Sequence, residues 1–182
     1  MKTVNVCLFI FCFGLFFGCA SFPNADKEHN TMVIGAINQQ AQGYNYYGSA
    51  TINGINTSGI EISIKNLKDE NIYTMRTISG GQFYSINIPE GEYKISKLYI
   101  KKEFGSSWAS ISWTPPSDAE QKFEIINGKV NNLGTISWEC EKDVKNRILY
   151  NREYGQVRDA FQEKNKSSNW NEKEWVDIKI IK

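Results

Sequence analysis

The stretch Gly81-Gln82-Phe83-Tyr84-Ser85-Ile86-Asn87-Ile88-Pro89-Glu90-Gly91-Glu92-Tyr93-Lys94-Ile95 decides the fold. Two β-type runs, residues 82–88 and 92–101, flank Pro89-Glu90-Gly91. Proline presets φ at the first corner of a turn, and glycine takes the left-handed backbone that closes a bulged hairpin. The stretch therefore predicts two strands joined by a tight hairpin. Upstream, Ile60-Glu61-Ile62-Ser63-Ile64-Lys65 alternates strictly, which predicts a half-buried strand with Ile60, Ile62 and Ile64 inward.

The rest of the body follows the same pattern. Residues 32–37, 72–78, 107–114, 120–126 and 129–138 are further strand runs, separated by turn signals at short intervals. Asn127-Gly128 and Asn53-Gly54 carry the strongest short hairpin signature, because both central residues of that turn need positive φ. The predicted fold is mainly β: an antiparallel β-sandwich of about seven to nine short strands. After Trp138 the character changes. Residues 139–166 are charged, and Tyr150, Tyr154, Val157 and Phe161 fall at helical spacing, one stripe of a C-terminal amphipathic helix. Val144 and Ile148 extend that stripe, although residues 144–150 also read as a strand. Residues 166–171 form a turn and residues 175–180 a terminal strand. This C-terminal part is too short for a core of its own and is expected to pack on the sandwich.

The 81–95 stretch resembles the motif of carboxypeptidase-regulatory-like, or prealbumin-like, β-sandwich domains: Gly-x-Phe, an alternating strand, Pro-x-Gly-x-Tyr, then an aliphatic. In that motif the Tyr re-enters the sheet as a large core residue, here Tyr93. The resemblance is local and implies an accessory or binding domain without catalysis of its own; it names no ligand.

Composition sets the outer limits. The chain has 182 residues, 41% hydrophobic and 23% charged, with 21 basic against 20 acidic side chains. That suits one globular domain, and so even a balance argues against electrostatic capture of nucleic acid. The chain opens with Met1-Lys2, and residues 6–17 are apolar apart from Gly14. This run is too short for a spanning helix of about 20 residues and fits the core of a secretory signal, about 7–15 residues. It ends in Leu15-Phe16-Phe17-Gly18-Cys19-Ala20-Ser21, which resembles a bacterial lipoprotein signal. Gly18 and Cys19 match that pattern, whereas Phe16 and Phe17 depart from its usual Leu and small residue. The resemblance implies a diacylglycerol thioether on Cys19, cleavage before it and acylation of the freed amine, a stable multi-chain anchor in membrane lipid. The alternatives are an ordinary cleaved signal and an uncleaved anchor.

The expected organisation is a signal peptide (1–18), a lipidated Cys19 with a flexible tether (19–30), the sandwich (31–138) and the C-terminal helix and strand (139–182). The expected location is a bacterial membrane, with the outer membrane favoured because Ala20 and Ser21 do not resemble an Asp-based inner-membrane retention signal. Whether the domain faces periplasm or surroundings is open. Of the four cysteines, Cys7 and Cys12 leave with the signal and Cys19 carries lipid. Cys140 is then alone, has no intramolecular disulfide partner and reads as an inert buried thiol.

No catalytic motif is present. The one histidine, His29, falls in the expected tether, so triad chemistry and His-based metal sites lack their imidazole. The carboxylate pairs Asp69/Glu70, Glu90/Glu92, Glu139/Glu141 and Glu172/Glu174 lie in turns or polar stretches and read as solvated. No cofactor and no metal are expected. The ligand-binding candidates are aromatic: Tyr44, Tyr46 and Tyr47, set among Gly, Asn, Ser and Gln as in an adaptable binding loop, and Trp108. Trp113, five residues from Trp108, would face the other side of a regular strand. The reading is a lipid-anchored envelope protein with a non-catalytic binding or structural role and a protein or glycan partner. The alternatives are a carbohydrate-binding module and, behind it, a carboxylate-based hydrolase.

Overall fold

Strand β2 (Ile60–Asn66) shows how the alternation becomes structure. Ile60, Ile62 and Ile64 are buried, while Glu61 and Lys65 reach solvent. The computed structural model describes residues 22–41, 60–78, 81–104, 107–114, 121–140 and 147–180. Among these, the strands are β1 (Met32–Ala41), β2, β3 (Ile72–Arg76), β4 (Gln82–Ile86), β5 (Gly91–Phe104), β6 (Ser107–Trp113), β7 (Lys122–Ile125), β8 (Val130–Cys140), β9 (Arg147–Arg152) and β10 (Trp175–Asp177). Among the described residues, the α-helix is α1 (Tyr154–Lys164), near the C-terminus, followed by a 3-10 turn at Asn169–Glu172.

The strands form two mostly antiparallel sheets. In the first, the order is β10-β8-β1-β4, with β9 also on β8; in the second it is β3-β2-β5-β6, with β7 also on β5. The β1–β8 and β10–β8 pairings are parallel. A single core joins the sheets. Val33, Ile37, Phe83, Leu133 and Ile136 of the first meet Ile62, Ile64, Tyr93, Ile95 and Leu98 of the second.

The first sheet is covered on both faces. Met32, Ile34 and Val130 point away from the sandwich core and pack with Val157 and Phe161 of α1 and with Trp170. The unbroken apolar run Met32-Val33-Ile34 is thus the pattern of a strand buried on two sides. Helix α1 begins without a side-chain cap, its Glu153 standing at φ 60°. Its hold on the fold comes from the buried Val157 and Phe161. Tyr150 does not belong to that helix: it lies in β9, paired with Ser137, so the helical stripe starts at Tyr154.

Two of the three expected hairpins are instead crossings between sheets. β4 belongs to the first sheet and β5 to the second, so Pro89-Glu90-Gly91 is a corner. There the Tyr93 hydroxyl donates to the Pro89 carbonyl at 2.8 Å, and the Tyr93 ring is fully buried. Asn127-Gly128 likewise links β7 in one sheet to β8 in the other, and Gly128 has positive φ whereas Asn127 does not. The buried Asn131 side chain explains this outcome. Its Oδ1 accepts from Ile126 N–H and its Nδ2 donates to the Ile126 carbonyl, taking both groups that a hairpin partner would have paired. Asn53-Gly54 lies outside the described residues.

Two glycines are fixed by close approach. A Cβ at Gly35 would stand 2.5 Å from the Phe83 ring. Gly134, at φ 61°, sits where β8 gains a residue on β1 in a bulge, and a Cβ there would stand 2.5 Å from the Arg152 carbonyl oxygen.

Candidate functional site

Residues 22–30, expected as a flexible tether, are docked along the outer layer. Asn169 is the clasp. Its Oδ1 accepts from Ala25 N–H at 2.7 Å, and its Nδ2 donates to the Ala25 carbonyl at 2.8 Å. The indole of the fully buried Trp170 donates to the Pro23 carbonyl at 2.8 Å. Phe22 then places its ring edge-on to Tyr84 (4.6 Å between centroids) and to Phe161 (5.1 Å). A polar composition predicts tether, but Phe22 and Ala25 carry enough apolar surface to join the cluster around Trp170. The docked segment ends in a local turn in which the Asp26 carboxylate accepts from the backbone of Glu28 and His29. The His29 imidazole lies 2.9 Å from Asp26, and these hydrogen bonds hold the Asp26 carboxyl below its ordinary pKa.

This docking shapes a shallow groove of about 210 Å³ beside β4, the last strand of its sheet. Ile34 and Phe161 contribute apolar lining shared with the outer cluster, and Phe22, Ile78, Tyr84, Gln82, Lys164 and Asn165 complete the wall. Lys164 Nζ donates to Gln82 Oε1 at 3.3 Å. Ile78 and Tyr84 are 44% and 37% exposed, two of the four large hydrophobics exposed among the described residues. Small-molecule pockets span about 300–1,000 Å³. The groove is below that range, so it suits a surface contact better than an enclosed ligand.

The residues singled out by sequence do not gather here. Cys19, Tyr44, Tyr46 and Tyr47 lie outside the described residues. Trp108 takes a position in β6 opposite Glu103, and Trp113 one opposite the core residue Leu98. Cys140 closes β8 opposite Arg147. Of the carboxylates, Asp69 and Glu70 sit at the β2–β3 turn, where the Lys65 ammonium bonded to Glu70 lowers its pKa. Glu90, Glu92, Glu172 and Glu174 are exposed, and Glu174 pairs with Lys129. Among the described residues, no group of three or more His, Cys, Asp or Glu side chains converges to hold a metal ion, and no helix is long and apolar enough to cross a membrane.

Sequence reasoning missed Phe22, Ile78, Tyr84, Phe161 and Lys164 as a group. The available signals were an isolated aromatic in a polar segment and a tyrosine next to the buried Phe83, hence on the opposite face of β4.

No family model matches the sequence, and no curated protein matches it. Among solved structures, the chain is similar to part of a leucine-rich repeat protein from Bacteroides thetaiotaomicron, with a TM-score of 0.36 and 11% identity. The similarity spans 62% of this chain and 14% of that one.

Proposed function

We propose that the chain is an exported, lipid-anchored protein of a bacterial envelope, held by acylated Cys19, whose sandwich serves a non-catalytic binding or structural role. The observation that carries this reading is the apolar run at residues 6–17 ending in Gly18-Cys19. The outer membrane is the favoured location. A β-rich body with its helix layered on one sheet presents broad sheet and helix surfaces, which suit a binding or structural role.

The test is labelling with an alkyne-bearing fatty acid in cells expressing the wild-type chain or Cys19→Ala, followed by membrane fractionation. The wild type is expected to take the label and sediment with membranes. Cys19→Ala is expected to lose the label and appear in the soluble exported fraction. Equal labelling and retention of both would overturn the reading.

A further inference from the structure

We propose that the corner formed by Phe22, Ile78, Tyr84 and Lys164 is the membrane-contacting surface of the domain, its partner being the phospholipid interface around the anchor. This inference rests on the lipid-anchored reading and adds an orientation to it. Only Ala20 and Ser21 separate Cys19 from the docked Phe22. Three residue steps span at most about 11 Å, since an extended chain gains 3.3–3.6 Å per residue. The diacylglycerol on Cys19 fixes that residue at the headgroup level, and the polar region of one leaflet is roughly 5–8 Å deep, from the difference between total and hydrocarbon thickness. Phe22 is therefore within one headgroup layer of the bilayer.

The tether has no slack to give back, because the Asn169 clasp and the Trp170–Pro23 hydrogen bond hold the segment down. The surface next to Phe22 has the right composition. Ile78 and Tyr84 expose apolar area there, Tyr combines an apolar ring with a polar tip, and Lys164 is a flexible cation at the rim. Tyrosine and lysine are side chains that settle at the boundary between headgroups and hydrocarbon. The groove itself is smaller than the space a drug-sized ligand takes, so it cannot sequester the diacyl anchor, which goes to the bilayer.

The experiment uses the full chain, purified in its processed form and reconstituted in phosphatidylethanolamine–phosphatidylglycerol vesicles. In a Cys140→Ser background, an environment-sensitive fluorophore is placed at Tyr84→Cys or, as the distant control, at Ile72→Cys on β3 of the other sheet. Intact mass and flotation report the anchor, and brominated lipids report depth. The expected result is acyl mass, flotation, and a blue shift with bromolipid quenching at position 84 but not at 72. An acylated, floating protein with no response at 84, or equal responses at both positions, would overturn the orientation and leave the anchor standing. A chain with neither acyl mass nor flotation would overturn the anchored reading and the orientation with it. Hydrogen exchange of the unsubstituted chain supplies a check independent of the labelled variants. Amides of residues 82–86 should slow on vesicles relative to lipid-free Cys19→Ala, and unchanged rates would count against the contact.

Discussion

Replacing Asn169 with alanine should release the docked segment while leaving the sandwich folded. The side chain makes two hydrogen bonds to one residue, accepting from Ala25 N–H at 2.7 Å and donating to the Ala25 carbonyl at 2.8 Å. Each is worth about 1 kcal/mol net, so Asn169→Ala removes about 2 kcal/mol from the closed state. At 1.4 kcal/mol per decade, that is roughly a 30-fold increase in the opening equilibrium. The Trp170–Pro23 bond and the Phe22 ring contacts remain, so the segment opens more often rather than permanently. Native-state hydrogen exchange at the Ala25 amide reads the effect directly, with exchange expected to accelerate by that factor and amides of β1 to stay protected. The control is Asn24→Ala. It removes one contact to the Asn169 amide at 3.4 Å, the outer limit of a hydrogen bond, and should change the rate about twofold at most. An Ala25 amide that exchanges at the wild-type rate in Asn169→Ala would refute the clasp, and with it the short-tether geometry.

Gly134→Ala should destabilise by at least about 2 kcal/mol, because a left-handed backbone and a clash with the Arg152 carbonyl add. Gly128→Ala, at φ 73° but in open space, should cost only about 1 kcal/mol, and equal urea midpoints for the two would contradict the packing account. Tyr93→Phe keeps the core ring and removes the hydroxyl bond to Pro89, so it should lower stability by about 1 kcal/mol in urea titration; no change would mean the corner does not depend on it. Burial raises the hydroxyl pKa of Tyr93 and of Tyr154, the latter aided by the Asp177 carboxylate. A raised pKa means the folded state holds the proton longer. Their contribution is therefore full below about pH 10, the unfolded value, and is lost as pH rises through the folded values. Tyr154→Phe should flatten the fall in thermal midpoint above that pH, and an unaltered alkaline limb would refute the assignment.

Strand positions were legible because each rests on a local pattern. Ile60, Ile62 and Ile64 alternate with polar residues, and a period of two leaves one register for a half-buried strand. Partners were less legible, because they depend on distant residues. Asn127-Gly128 looks like a hairpin until Asn131 occupies the backbone groups of Ile126. Pro89-Glu90-Gly91 looks the same until the sheets sort β4 from β5. Tyr150 and Tyr154 share helical spacing, yet Glu153 breaks the run with a left-handed backbone and leaves Tyr150 in β9. The candidate surface was the least legible part. It draws on the N-terminal segment, β4 and the end of α1, which are far apart in sequence, and its clasp is an asparagine that composition counts only as polar.

The double cover on the first sheet bears on where a partner could bind. One face of that sheet is closed by the second sheet and the other by α1, Trp170 and the docked segment. Among the described residues, the sheet face left over is therefore the outer face of the second sheet. Glu61, Ser63 and Lys65 occupy its register on β2, opposite Arg76, Thr74 and Ile72 of β3. On the proposed orientation, the Lys65–Ile72 end of this face lies away from the bilayer, because Ile78 of the corner follows Arg76 at the other end of β3. Charge reversal at that end, for instance Lys65→Glu with Glu70→Lys, should weaken capture of the proposed partner without altering acylation or vesicle flotation. Variants of the Phe22 corner should abolish the bilayer contact at β4 while leaving acylation, flotation and partner capture unchanged. A single set of substitutions that abolished both would mean that one surface serves both roles, contrary to the layering of the fold.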